Sequence, residues 1–294
     1  MNAPASGPCR GHFRWSLADS RDFSRSALAS RVHALGPMQT RWVASALLSL
    51  GAAACSSATS ATIDTPNPFG AGVRTVALEV DYAKGAEPYV GAEGQVSDLW
   101  RLTRDNLDAL FQKKRTLTIP SALDQMEAIA DVPSGDLTTD QLLDVASRHR
   151  QSKSTADAVS YYVLFVDAYL SENGQRKTDV LGVSIGHTGA VAMFKPVIRA
   201  ADVRAFPGVV RFTEQAVLIH ELGHAVGLVD NGLPLTSAHK DEANGAHCKN
   251  PQCVMYYAND GARDALQFAR RFAQSGSTVV FGSECANDAA AALR

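Results

Sequence analysis

From residue 73 onward the chain alternates between two kinds of hydrophobic spacing. Val76, Leu78, Val80 and Tyr82 recur at every second position, which predicts a strand near 74–82. Trp100, Leu107, Leu110 and Phe111 then recur at helical spacing behind Ser97, a residue suited to cap a helix. Leu117 and Ile119 ahead of Pro120 predict a short strand. Ala122 to Ala130 and Asp140 to His149 predict helices, with Pro133 and Gly135 breaking the chain between them. Val159 to Leu170, rich in Val, Tyr, Phe and Leu, predicts a central buried strand. Val180 to Ile185 and Ala190 to Phe194 flank Gly186 and Gly189, as an edge strand or hairpin does. A further helix is predicted over Glu214 to Val226, capped by Thr213. With no internal repeat and no linker after Val73, the pattern predicts one α/β domain over 73–294.

Ahead of Val73 the pattern is that of an address. Met38 to Arg41 gives a charged start, Trp42 to Ala54 a short apolar middle and Gly51 to Cys55 a small-residue exit, which is the layout of a secretory signal. The apolar stretch is shorter than the roughly 20 residues that span a bilayer, so export is expected rather than an integral helix. The run of alanines ending at Cys55 resembles the lipobox of bacterial lipoproteins, which implies a lipid anchor at Cys55; ordinary signal cleavage nearby is the alternative. Residues 1–37 carry Arg10, Arg14, Arg21, Arg25 and Arg31 without an apolar period, so translation is expected to start at Met38. Residues 1–55 are thus read as leader and signal, and Ser56 to Gly72, made largely of Ser, Thr, Ala, Pro and Gly, as a flexible tether. Composition adds exclusions: 46% hydrophobic and 20% charged residues with a net charge of −2 describe a globular chain without the basic excess of a nucleic-acid binder. Five cysteines are too few for a disulfide-dense scaffold.

The chemistry sits in the last predicted helix. His220 and His224 are four residues apart, so they project from one helical face and can hold a single zinc. Glu221 beside them can hydrogen-bond a metal-bound water without being a ligand, as a hydrolytic general base does. The run Ala216 to Ile219 before the motif, with Ala225 and Val226 after it, buries the helix, so two polar imidazoles there need a partner. Gly227, three residues past His224, can take a positive φ and double the chain back beneath the metal. Met255 downstream suits an apolar floor under the zinc.

His220, Glu221, His224, Gly227, Asp230 and Met255 stand where the metzincin metallopeptidases have H-E-x-x-H-x-x-G-x-x-H/D and a Met-turn, and around 210–260 the chain resembles that family. More narrowly, His247, Cys248, Cys253 and Met255 resemble the archaemetzincin pattern H-C-x4-C-x-M, displaced here by an insertion from Leu228 to about Ala246. The resemblance implies a metzincin-like catalytic domain of α/β class, with a mixed twisted sheet, a zinc-binding helix and a Met-turn. Three candidates compete for the third ligand: His247 by its place before the cysteines, Asp230 by its numerical slot, and His239 between them. Glu242, the thermolysin-like alternative, would leave Gly227 and Met255 without a role. Cys248 and Cys253 are close enough for a disulfide in an exported protein, a free or metal-bound pair being the alternative. Only Cys285 remains where archaemetzincins carry a later C-x-x-C, so a second, structural zinc is not supported. Tyr257 stands where some metzincins place a tyrosine that touches the zinc or the oxyanion; a packed aromatic is the alternative. The edge strand expected near Gly182 to Phe194 can bind an extended peptide by main-chain pairing.

Two functions follow. The first is a zinc-dependent endopeptidase acting on peptide or protein substrates, with Glu221 as general base. The second is a surface lipoprotein that keeps zinc for stability or binding without turnover. Retention of Glu221 favours the first, because a structural zinc takes four ligands and no base.

Overall fold

The computed structural model describes residues 65–91, 98–201, 209–257, 268 and 277–293. The expected leader, with Met38 and Cys55, lies outside the described residues, as does Ser97. In chain order the elements are β1 (Thr75–Ala83), α1 (Arg101–Leu110), β2 (Thr116–Thr118), β3 (Glu127–Ile129), α2 (Thr139–His149), β4 (Ala158–Val166), β5 (Leu170–Glu172), β6 (Gln175–Lys177), β7 (Gly182–Ile185), β8 (Ala190–Phe194), α3 (Lys195–Ala200), α4 (Val209–Ala225) and α5 (Ser283–Ala292).

The continuous apolar run of β4 makes it the middle of the sheet. It pairs in parallel with β1 on one side, Val76 against Val159 and Val80 against Val163, and with β8 on the other, Leu164 against Ala192. β2 and β3 extend β1 in parallel at successive registers, while β7 closes the opposite edge antiparallel to β8. Every residue of β8, and of β4 after Ala158, is buried, as in sheets covered on both faces. The fold is therefore mixed α/β with a mostly parallel sheet.

α4 packs across β7 and β8, and its residues from Val209 to Gly223 are almost all buried. A helix apolar all round belongs inside a protein, so its polar residues need partners within it. Glu214 pairs with Lys195 of α3 and accepts the Tyr89 amide at 2.7 Å, while the Lys195 ammonium lies 3.7 Å from the centre of the Tyr89 ring. Burial pushes Lys195 down and Glu214 up, and their mutual contact opposes both shifts. Gln215 accepts the Thr103 hydroxyl of α1 at 2.8 Å. These contacts fix α4 to α1 and α3.

Several elements differ from the expectation. Ala122 to Ala130 is not a helix: a single 3-10 turn, Leu123–Gln125, leads into β3, because pairing with Asp81 to Ala83 outweighs helical propensity there. The stretch to Leu170 divides into β4 and the first strand of the small β5–β6 hairpin. α4 begins before Thr213, whose hydroxyl donates to the Val209 carbonyl at 3.1 Å inside the helix and does not cap it. α2 begins at a capping box in which Thr138 and Gln141 satisfy each other's amides. Packing also starts ahead of Val73. Phe69 is fully buried with its ring 5.0 Å from Phe111, and Arg115 donates to the carbonyls of Pro68, Phe69 and Gly70. The end of the expected tether is thus part of the core.

Candidate metal centre and active site

Three imidazoles meet at the C-terminal half of α4. His220 and His224, one helical turn apart, bring their Nε2 atoms to 3.0 Å. His247 comes from the far side of the insertion, its ring centre 5.3 Å from that of His220 and 4.9 Å from that of His224. One nitrogen from each of the three lies within 4.8 Å of the others. Two nitrogens on one tetrahedral zinc, at about 2.0–2.1 Å each, stand roughly 3.3 Å apart, so the spacing suits a common ion.

The hydrogen bonds of the outer nitrogens support the same reading. His220 Nδ1 lies 2.6 Å from the Val254 carbonyl and His247 Nδ1 2.5 Å from the Asn244 carbonyl. A carbonyl only accepts, so each Nδ1 carries the proton and each Nε2 offers a lone pair to the shared point. Two lone pairs directed inward, with His224 Nε2 3.0 Å from that of His220, form a donor set suited to a borderline-soft dication such as zinc.

Glu221 follows His220 and is 5% exposed, facing a cavity of about 430 Å³. Gly182 and Ser184 of β7, His224, Asn244 and His247 also line it. Beneath the helix the fit is close. A β-carbon on Gly223 would stand 2.3 Å from the sulfur of Met255, so only glycine lets this fully buried methionine seat under the histidines. Gly227, at φ 96°, ends the helix just beyond.

The other sequence candidates lie elsewhere. Val229 and Asp230 are both left-handed, at φ 56° and 60°, which turns the chain outward. The half-exposed Asp230 carboxylate then pairs with Lys240 at 2.7 Å instead of joining the histidines. Tyr257 is 40% exposed, packs against Tyr256 with ring centres 4.7 Å apart, and does not line the cavity.

His239 belongs to a second, buried cluster. Its Nδ1 lies 3.4 Å from Cys248 Sγ, and donor atoms of His239, Cys248 and Cys285 fall within 4.8 Å of one another. Cys253 Sγ is 3.6 Å from Cys285 Sγ. None of the three cysteines is in a disulfide, so of the two alternatives for Cys248 and Cys253 the structure has the free pair and not the bridge. Hydrogen bonds from Cys253 and Cys285 hold the Cys248 thiol far below its ordinary range, and that contact pushes the other two thiols up. Burial resists protonation of His239, but hydrogen bonds with Cys248 and Asp288 outweigh it and raise its pKa. Asp288 on α5 holds His239 Nε2 at 2.6 Å and Thr236 Oγ1 at 2.6 Å. Two sulfurs and an imidazole braced by a carboxylate, with the Cys253 sulfur beside that of Cys285, suit a soft or borderline metal. The sequence reading missed this cluster because its members span 239 to 285 without a compact motif. Its legible signal was the supply of soft donors after the insertion.

Among solved structures the chain is similar to a zinc-dependent peptidase from Methanocorpusculum labreanum (strain Z), with 16% sequence identity and a TM-score of 0.43 over 72% of this chain and 99% of that one. No family model and no curated protein matches the chain.

Proposed function

We propose that the chain is a zinc-dependent endopeptidase. The observation that carries the reading is the convergence of His220, His224 and His247 beside Glu221 at the wall of an open cleft. These three imidazoles would hold zinc, which supplies Lewis acidity toward a carbonyl and lowers the pKa of a water. Glu221 takes the proton of the attacking water on its carboxylate and returns it to the leaving amine. His220 and His247, locked by the Val254 and Asn244 carbonyls, keep the donor geometry fixed while the proton moves. Edge strand β7 flanks the cleft, where an extended peptide can pair with its main chain. The reading gives Tyr257 no part in the reaction. It includes export through the segment 38–55, with a lipid anchor at Cys55, and a second, structural ion among His239, Cys248, Cys253 and Cys285.

The test is Glu221→Gln in the purified chain, assayed on a quenched fluorogenic peptide library beside the parent protein. The parent should cleave, lose activity to a chelator and regain it with zinc. The variant should bind zinc as the parent does and lose at least about a hundredfold in kcat. Equal cleavage by the variant removes the base mechanism. A zinc-loaded parent that cleaves nothing favours a metal-keeping surface protein without turnover.

A further inference from the structure

Six residues, Cys248 to Cys253, join the two pieces of main chain on which the three-histidine centre depends. His247, immediately before them, supplies the third imidazole. Val254, immediately after them, supplies the carbonyl that fixes the His220 tautomer at 2.6 Å. The cysteines at the two ends of this link are fully buried and meet His239 and Cys285 instead of lining the cleft. The link is also closed on itself, since the Cys248 amide donates to the Met255 carbonyl at 2.7 Å. Two backbone amides point at sulfur, Gly282 to Cys253 at 3.1 Å and Asn250 to Cys248 at 3.5 Å, an arrangement that supports negative charge there. The remaining two donors arrive from separate places: His239 from the insertion, Cys285 from α5.

We infer that the thiol–imidazole cluster, once loaded with metal, sets the zinc affinity of the three-histidine centre through the residues flanking its cysteines, His247 and Val254. The inference rests on the peptidase reading of that centre. Cys248, Cys253, Cys285 and His239 are then positioning residues. Loading draws both ends of the link onto α5 and the insertion, and so holds His247 and the Val254 carbonyl at the spacing His220 and His224 require. Without it both ends are held by hydrogen bonds and by packing in the core, neither of which gathers the four donors onto one point. Removing outer partners of metal ligands usually weakens binding about 10- to 100-fold, and the coupling between two sites is reciprocal.

The experiment titrates metal-free, reduced full-length chain carrying Cys9→Ser and Cys55→Ser with zinc against a chromophoric chelator, and in parallel with cobalt, whose thiolate absorption in the near ultraviolet then reports the cluster and not the histidines. His220→Ala identifies the equivalent held by the histidines. Cys285→Ser, remote from the cleft, should weaken that equivalent at least about tenfold. Should Cys285→Ser fold poorly, the reciprocal arm suffices: in His220→Ala the cobalt–thiolate midpoint should rise by a like factor. The inference is overturned if the histidine equivalent keeps its affinity in Cys285→Ser, or if the thiolate midpoint is unmoved in His220→Ala. A His220→Ala protein that loses no metal equivalent overturns the peptidase reading as well, which separates the two failures.

Discussion

A methyl group on Gly182 would stand 2.9 Å from Glu221 Cγ, 3.0 Å from Val217 Cγ1 and 3.2 Å from the Met193 sulfur. All three neighbours are side-chain atoms, so the backbone of β7 stays and the side chains move, Glu221 among them. Gly182→Ala should therefore lower kcat by about 10- to 100-fold with zinc content near that of the parent, since a misplacement of about 1 Å suffices for such a loss, and should lower the melting temperature by a few degrees because the buried Val217 and Met193 must also give way. Steady-state kinetics with metal analysis decides it; an unchanged kcat means that β7 does not gauge the base. At this scale the sequence carried the periodic part of the site. Four-residue spacing placed His220 and His224 on one face, and the structure brings their nitrogens to 3.0 Å. The third imidazole follows from nothing periodic. It depends on the left-handed pair Val229 and Asp230 and on the Lys240 contact that carries Asp230 away, features of backbone geometry that residue types do not announce. Gly182 likewise read only as part of a strand.

Strands were more legible than the helices, because β1 and β4 carry their burial in their own patterns. The exception was 122–130, where helical propensity was overridden by pairing with the end of β1. That end of β1 bears a titratable group under tension. Asp81 is 1% exposed, accepts the Tyr162 hydroxyl of β4 at 2.7 Å, and has its pKa raised to about 6 by burial, against the lowering effect of that hydrogen bond. Its ordinary value is 3.8. Between 3.8 and about 6 the folded chain holds more protons than the unfolded one, so this group's contribution to stability falls as pH rises through that window and stays low above it. The loss amounts to about 3 kcal/mol, at about 1.4 kcal/mol per pH unit. Asp81→Asn keeps an acceptor for Tyr162 and removes the charge. It should stabilise the protein by about 2 to 3 kcal/mol at pH 8 and do little at pH 4, as read from urea unfolding at the two pH values. An equal effect at both would show that Asp81 ionises at its ordinary value.

For the molecule as a whole, the two donor clusters sit where elements distant in sequence meet. α4 contributes two histidines, the insertion His239, the residue just past it His247, the link two cysteines, and α5 Cys285 with Asp288. The sequence allowed one such centre and gave no support to a second, since donors spread over many residues form a site only after the chain has folded. Sites of this kind exist in the native state and not in the unfolded chain, so ion binding is folding free energy. At a free zinc concentration a hundredfold above its dissociation constant, one ion adds about 2.7 kcal/mol. For a unit of this size, 1 kcal/mol corresponds to about 2 to 4 °C in Tm. Each ion should therefore raise Tm by roughly 5 to 10 °C, and stripping both should lower it by roughly 10 to 20 °C. Differential scanning calorimetry of loaded and chelator-treated protein measures this. Glu221→Gln should show the full shift, because the base is not a ligand, whereas His220→Ala should lose the share of the histidine centre and, through the flanking residues, part of the other. A loaded and a stripped protein melting at the same temperature would mean that neither cluster binds an ion in the native state.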